Sequence, residues 1–256
     1  MEVDAFLAEF PALWDGDPQT ADHPRDRRFG AVLDATRGMA TENKLALLNL
    51  AARHLEPGET YLEVGAWAGC SILGAALGNV GPFCTIDDFS QFGGPIDDFR
   101  RNLEAFGRTD ITLYEGDAWE VLAAAPFPRP VGVFFYDGGH SFDDQYRAFS
   151  RVEPLLADRA LILVDDTAWD WVAAADARFV RGRPEYTRLL RFESPENGEP
   201  RWWNGMEVYA FRRDPRRPVT AAALLRRERR HLRQRRIERR VRQLAGRVRR
   251  TVAPTR

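Results

Sequence analysis

Three short apolar runs in this chain end in carboxylates, and the endings carry residue types that do chemistry. Tyr61-Leu62 runs into Glu63-Val64-Gly65-Ala66-Trp67-Ala68-Gly69. Val131–Tyr136 runs into Asp137, and Ala160–Val164 runs into Asp165-Asp166. A buried parallel strand reads as a continuous apolar run, and ligands bind outside its carboxyl end in open α/β sheets. The last two runs read as neighbouring strands, about 4.8 Å apart. Asp137, Asp165 and Asp166 can then converge on one ion. Oxygen donors without a nearby cysteine or histidine cluster suit a hard cation, Mg²⁺ first, with Mn²⁺ or Ca²⁺ as alternatives. His140 follows Asp137 in Tyr136-Asp137-Gly138-Gly139-His140-Ser141, where the two glycines let the chain turn back toward the ion. A neutral imidazole there can take a proton from a cation-bound hydroxyl, so His140 is the expected base. These acids and the histidine also fit as helix caps, but their coincidence at adjacent strand ends favours a site.

The first ending has a different character. Gly65 and Gly69 close a strand and open a helix, where a side chain would keep a ligand away from the backbone. The free N–H groups at Gly69-Cys70-Ser71 suit a carboxylate or phosphate, with the Ser71 hydroxyl beside them. Asp87 ends the next strand, where an acid accepts ribose hydroxyls. Asp117-Ala118 follows the third strand, in reach of an adenine amino group. The spacing Glu-x-Gly-x-x-x-Gly departs from Gly-x-Gly-x-x-Gly, which argues against a dinucleotide and against a dehydrogenase.

These endings need a scaffold that lines them up. Strand-like stretches fall near 60–64, 82–87, 110–115, 131–136 and 160–164, with helical stretches at 41–55, 69–78, 96–106, 117–125, 141–156 and 168–180. Such alternation predicts a doubly wound α/β fold with a mostly parallel sheet and right-handed crossovers. Thr187–Glu193 and Met206–Arg212, joined by the turn-rich Ser194–Gly205, complete seven strands as an antiparallel edge hairpin. Trp169, Trp202, Trp203 and Asn204 stand near the carboxyl edge as candidate substrate contacts, with core or lid packing as the competing reading. Gln91-Phe92-Gly93-Gly94 has the composition of a lid hinge.

The chain has 256 residues, enough for one large core, and no apolar run approaches the roughly 18 residues of a membrane span. Cys70 and Cys84 match no zinc or redox spacing and read as core thiols of a cytoplasmic protein. The net charge of −1 conceals an acidic body and a basic tail: Arg212 to Arg256 holds 18 arginines against 3 acids. We divide the chain into an N-terminal helical and loop extension (1–38), a central domain (39–213) and an arginine-rich helical tail (214–256). Pro215–Pro218 reads as a hinge. Leu225, Leu232, Ile237, Val241, Leu244 and Val248 form a thin apolar stripe, with Gly246 as a point where the helix can break. The tail fits packing on its own or a neighbouring subunit in a homo-oligomer, or a solvated extension. It lacks Trp, Tyr and Phe, which argues against RNA, DNA or membrane as its partner.

On Glu63, Gly65, Gly69, Asp87 and Asp117 the sequence resembles the class I S-adenosylmethionine-dependent methyltransferases, from about Met39 to Phe211. The resemblance implies a Rossmann-like fold in which Glu63, Gly65, Ala66, Gly69 and Ser71 line the methionine end of S-adenosylmethionine. Asp87 would hold the ribose, and Asp117 and Ala118 would flank the adenine. Asp137-x-x-His140 with Asp165-Asp166 is similar to the metal-dependent O-methyltransferases of antibiotic-sugar and macrolide tailoring. Catechol-type O-methyltransferases are related but place lysine at His140. The resemblance implies a Mg²⁺-assisted O-methyltransferase for a small-molecule hydroxyl, a natural product or glycoside, with Asp137, Asp165 and Asp166 as ligands and His140 as base. The alternatives are an RNA methyltransferase guided by the tail and a silent adenosyl-binding scaffold.

Overall fold

The computed structural model describes every residue except 125, 126, 128, 129, 217 and 253–256, and gives the backbone alone for 239 and 241–252. All seven strands form: β1 (Thr60–Val64), β2 (Phe83–Asp87), β3 (Thr112–Glu115), β4 (Val131–Tyr136), β5 (Leu156–Asp165), β6 (Tyr186–Phe192) and β7 (Met206–Arg212). They make one sheet in the order β3-β2-β1-β4-β5-β7-β6. The first five are parallel, and β7 is antiparallel to both β5 and β6. The fold is the doubly wound α/β arrangement with an antiparallel edge. Strands β1 and β4 are buried along their whole length; β4 is an unbroken apolar run, and β1 buries Thr60 and Glu63 as well.

Helices α1 (Val3–Glu9), α2 (Arg28–Ala35) and α3 (Glu42–Arg53) precede the sheet. Then α4 (Cys70–Ala76), α5 (Ile96–Ala105), α6 (Ala118–Ala124), α7 (Phe142–Val152) and α8 (Asp170–Val180) alternate with the strands. Met1–Pro218 is one compact unit. The first residues belong to its core: Phe10 and Trp14 pack 5.2 Å apart, and Trp14 lies 5.8 Å from Trp202. The Trp14 indole N–H donates to Asn43 Oδ1 at 2.7 Å, which ties this segment to α3.

Register explains how the strand endings meet. Val64 pairs with Tyr136, and Tyr136 with Val164. The residues that follow, Gly65, Asp137 and Asp165, therefore emerge side by side at one edge. The strand order reverses between β1 and β4, the place where a crevice opens in this architecture.

Val219–Arg256 is a separate unit. Its helix α9 (Ala221–Val252) runs 32 residues without a break at Gly246. Of the expected stripe, Ile237 is 54% exposed. The side chains of Val241, Leu244 and Val248, and residue 217 of the expected hinge, lie outside what is described. Among the described residues, no helix is long and apolar enough to cross a membrane.

Candidate active site

A cleft lies at the carboxyl ends of β1, β4 and β5, with Gly65, Ala66, Ser71, Asp137 and Asp165 in its wall. Gly65 has φ +99° and Gly69 φ +87°, left-handed conformations in which a β-carbon is strained. Gly69 caps α4. Glu63 is fully buried and accepts hydrogen bonds from the Ser71 hydroxyl at 2.7 Å and the Tyr61 hydroxyl at 3.2 Å. Burial pushes its pKa up to about 8, against the opposing pull of those two hydrogen bonds.

Asp87 holds the loop from the other side. Its carboxylate accepts the Trp67 N–H at 2.8 Å and the Phe89 N–H at 2.7 Å. Trp67 is itself left-handed, with φ +40°. Each Asp87 oxygen keeps a second lone pair for a ligand hydroxyl. Asp117 caps α6, its Oδ1 accepting the N–H groups of Trp119 at 2.9 Å and Glu120 at 3.0 Å; Ala118 is the first residue of that helix.

The acidic ends of β4 and β5 make a second constellation. Asp137, His140 and Asp166 each turn one ligand-type atom inward, and these atoms lie within 4.8 Å of one another. His140 Nε2 is 3.1 Å from Asp166 Oδ2 and 3.7 Å from Asp137 Oδ1. The turn that presents His140 is held by the Tyr136 hydroxyl, which donates to the Gly139 carbonyl at 2.9 Å. Ser141 then caps α7, accepting the Asp144 N–H at 3.1 Å. The imidazole meets Trp169 edge to face at 5.3 Å, and the Trp171 indole donates to the His140 carbonyl at 2.9 Å.

The electrostatics of this group favour a cation. Loss of solvation, then the charges of Asp165 and Asp166, push the Asp137 pKa well above the ordinary carboxylate range. Asp166 is raised for the same reasons, against pulls from His140, Lys44 and a hydrogen bond from Asn204. Asp137 nevertheless keeps 32% of its side chain open, so an ion in the cleft can reach it. Two crowded carboxylates fit a divalent cation, with the imidazole nitrogen beside them.

The sequence-based assignment differs from this arrangement at two places. Asp165 does not join the cluster. Its Oδ1 accepts from the Lys44 ammonium and from the Asp166 N–H, the latter at 2.7 Å, so consecutive β5-end residues point to different partners. Trp202, expected among the substrate contacts, lies in the core. It is fully buried, stacked on Phe192 at 3.6 Å, with its indole N–H donated to the Pro18 carbonyl at 2.8 Å. Asn204, placed with the substrate contacts, instead supports Asp166 and accepts the Gly198 N–H at 2.9 Å. Trp203 is half-buried and pairs through its backbone with Glu199. Trp169 remains beside His140.

Lys44, which the strand-end reasoning missed, is 1% exposed, lines the cleft and pairs with Asp165. A signal was there to find. Lys44 is the only lysine in a chain whose other 36 basic residues are arginines. It also immediately precedes Leu45-Ala46-Leu47-Leu48, within a helix buried nearly all round, where a lone ammonium requires a buried anion.

Residues 62–167 match the family described as a methyltransferase domain. The matched segment and the seven-stranded sheet around it have the Rossmann-like fold of a methyltransferase domain. Solved structures repeat its fold. The O-methyltransferase TomG from Streptomyces achromogenes, involved in tomaymycin synthesis and solved with S-adenosylmethionine, is 17% identical with a TM-score of 0.57, covering 83% of this chain and 100% of its own. Cofactor-bound Rv0187 from MTB is 20% identical at TM-score 0.55, covering 83% of this chain and 97% of its own. The S-adenosylhomocysteine-bound methyltransferase PaMTH1 of Podospora anserina is 18% identical at TM-score 0.54, covering 82% and 94%. No curated protein matches the sequence.

Proposed function

We propose that the protein transfers the methyl group of S-adenosylmethionine to a hydroxyl of a small molecule, with a divalent cation, Mg²⁺ first, assisting. The observation that carries this reading is the convergence of Asp137, His140 and Asp166 beside a glycine-walled cleft. Gly65, Ala66, Gly69 and Ser71 would cradle the methionine end of the cofactor, with Glu63 beneath. Asp87 would take the ribose, and Asp117 with Ala118 would border the adenine. Gly65 lines the cleft without a side chain, which fits such a ligand. Asp137 and Asp166 would hold the cation, which when bound lowers the pKa of an acceptor hydroxyl. His140 Nε2 would accept the hydroxyl proton, its ring held by Trp169 on one side and Asp166 on the other. TomG, an O-methyltransferase of a natural-product pathway by its description, shares the fold and supports the acceptor class.

The test is a methyl-transfer assay with labelled S-adenosylmethionine across a panel of natural-product and glycoside hydroxyls, with Mg²⁺ and with EDTA. Turnover with Mg²⁺ that EDTA abolishes, while S-adenosylhomocysteine still binds, is the expected result. Full turnover in EDTA removes the cation from the reading. Adenosyl binding without transfer to any hydroxyl leaves the scaffold alternative standing.

A further inference from the structure

The Lys44–Asp165 pair joins residues 121 positions apart, on α3 and at the end of β5, and side-chain exposure is 1% for Lys44 and 4% for Asp165. The same Asp165 Oδ1 that takes the Lys44 ammonium also accepts the N–H of Asp166 at 2.7 Å. Asp166 is in the left-handed region, φ +59°, a conformation that costs a non-glycine residue and persists where its surroundings over-determine it. From that backbone the Asp166 carboxylate reaches His140 Nε2 at 3.1 Å. Without the left-handed turn, strand β5 would continue its alternation and send Asp166 elsewhere.

We propose that Lys44 is the positioning residue of the Asp137–His140–Asp166 site, fixing the direction of Asp166 by clamping Asp165. The inference rests on the cation reading of that site. Lysine suits the task better than arginine. Its ammonium is a compact point charge on a thin stem, whereas a planar guanidinium needs more room and a wider fork of acceptors. In a chain that uses arginine at its 36 other basic positions, the one lysine stands almost fully buried. The hydrogen bonds from Lys44 to Asp165 and from the Asp166 N–H to Asp165 carry this link through the β5 end.

The experiment compares wild type, Lys44→Met, Lys44→Met/Asp165→Asn and Asp137→Asn. The double variant leaves no lone buried charge, so it keeps the question open to measurement if the single variant does not fold. Three readouts are taken on the full chain: Mn²⁺ affinity by electron paramagnetic resonance, S-adenosylhomocysteine affinity by calorimetry, and a crystal structure. Loss of Lys44 is expected to weaken Mn²⁺ at least tenfold, to leave S-adenosylhomocysteine within twofold, and to take Asp166 out of positive φ. Asp166 unmoved in the crystal structure overturns the proposal. So does a tenfold loss of S-adenosylhomocysteine with Mn²⁺ unchanged, which would make Lys44 a cofactor contact. Mn²⁺ binding that is absent in wild type, or that survives Asp137→Asn, defeats the cation reading itself; the conformation of Asp166 then still decides the role of Lys44.

Discussion

A β-carbon placed on Gly65 would stand 2.1 Å from the carbonyl oxygen of Asp137. The cofactor-type loop after β1 and the acidic end of β4 are therefore in backbone contact, and the Asp137 N–H also donates to the Val64 carbonyl at 2.9 Å. Neither half of the site can shift without the other. Gly65→Ala adds both a left-handed alanine and a clash with main chain, which cannot rotate away. We expect it to cost roughly 2 kcal/mol or more in urea denaturation and to weaken S-adenosylhomocysteine and Mn²⁺ together. Stability within about 0.5 kcal/mol of wild type would show that the two loops separate freely.

Glu63 supplies a pH dependence with a definite sign. Its folded pKa lies at about 8, mainly through burial, while an unfolded glutamate titrates in the ordinary range. The folded state thus binds a proton that the unfolded state has already released. The stabilisation is complete below the unfolded pKa and is lost as pH rises toward about 8. The slope from this group is at most about 1.4 kcal/mol per pH unit. Glu63→Gln keeps the shape without the titration, so its stability should vary less between pH 5 and pH 8 than that of wild type. Parallel stability curves for the two proteins across that window would mean that Glu63 does not change its proton occupancy on folding.

Two tryptophans near the carboxyl edge separate packing from recognition. Trp202 is fully buried against Phe192 and Trp14, so Trp202→Ala should cost about 3–5 kcal/mol in chemical denaturation. Trp171 is 51% exposed, stacks on Trp169 at 5.4 Å and anchors to the His140 carbonyl. Trp171→Ala should cost less than about 1 kcal/mol in stability while raising the acceptor KM several-fold. An unchanged KM would place the acceptor away from this aromatic pair.

The difference between Trp202 and Trp171 also marks what the sequence could convey. Strand runs such as Val131–Tyr136 were legible because burial on both faces leaves an unbroken apolar signature. The endings Gly65, Asp137 and Asp165 were legible because register carries parallel strands to a common edge. Side-chain direction was not. Asp165 and Asp166 are adjacent acids of one type, and a left-handed φ at Asp166 sends one to Lys44 and the other to His140. Nothing in an Asp-Asp pair announces that turn. Trp202 and Trp203 are likewise identical in type, yet contacts with Pro18 and Trp14, far away in sequence, draw Trp202 into the core. Lys44 lies on a helix before the first strand, outside any strand-end pattern, and only its partner across 121 residues gives it meaning.

The geometry of His140 and Asp166 leads to a prediction about how their losses combine. The two groups sit 3.1 Å apart and face the same point as Asp137, so each needs the other to hold its place. His140→Ala removes the proposed proton acceptor, an effect expected to lower kcat about 10²–10⁴-fold. Asp166→Asn keeps the shape but removes one of the two carboxylate charges that would hold the cation. It should also lower kcat at least about 10²-fold, with a weaker apparent Mg²⁺ affinity that His140→Ala does not produce. Residues that act as a unit are non-additive. The double variant should therefore be little worse than the poorer single variant, and KM for S-adenosylmethionine should stay near wild type in all three. The Glu63 and Gly65 side of the cleft is intact in each. Steady-state kinetics with varied Mg²⁺ and S-adenosylmethionine measures all of these quantities. Fully multiplicative losses would mean that His140 and Asp166 serve separate steps. A KM for S-adenosylmethionine that rises with either substitution would put the pair in the cofactor site rather than at the acceptor.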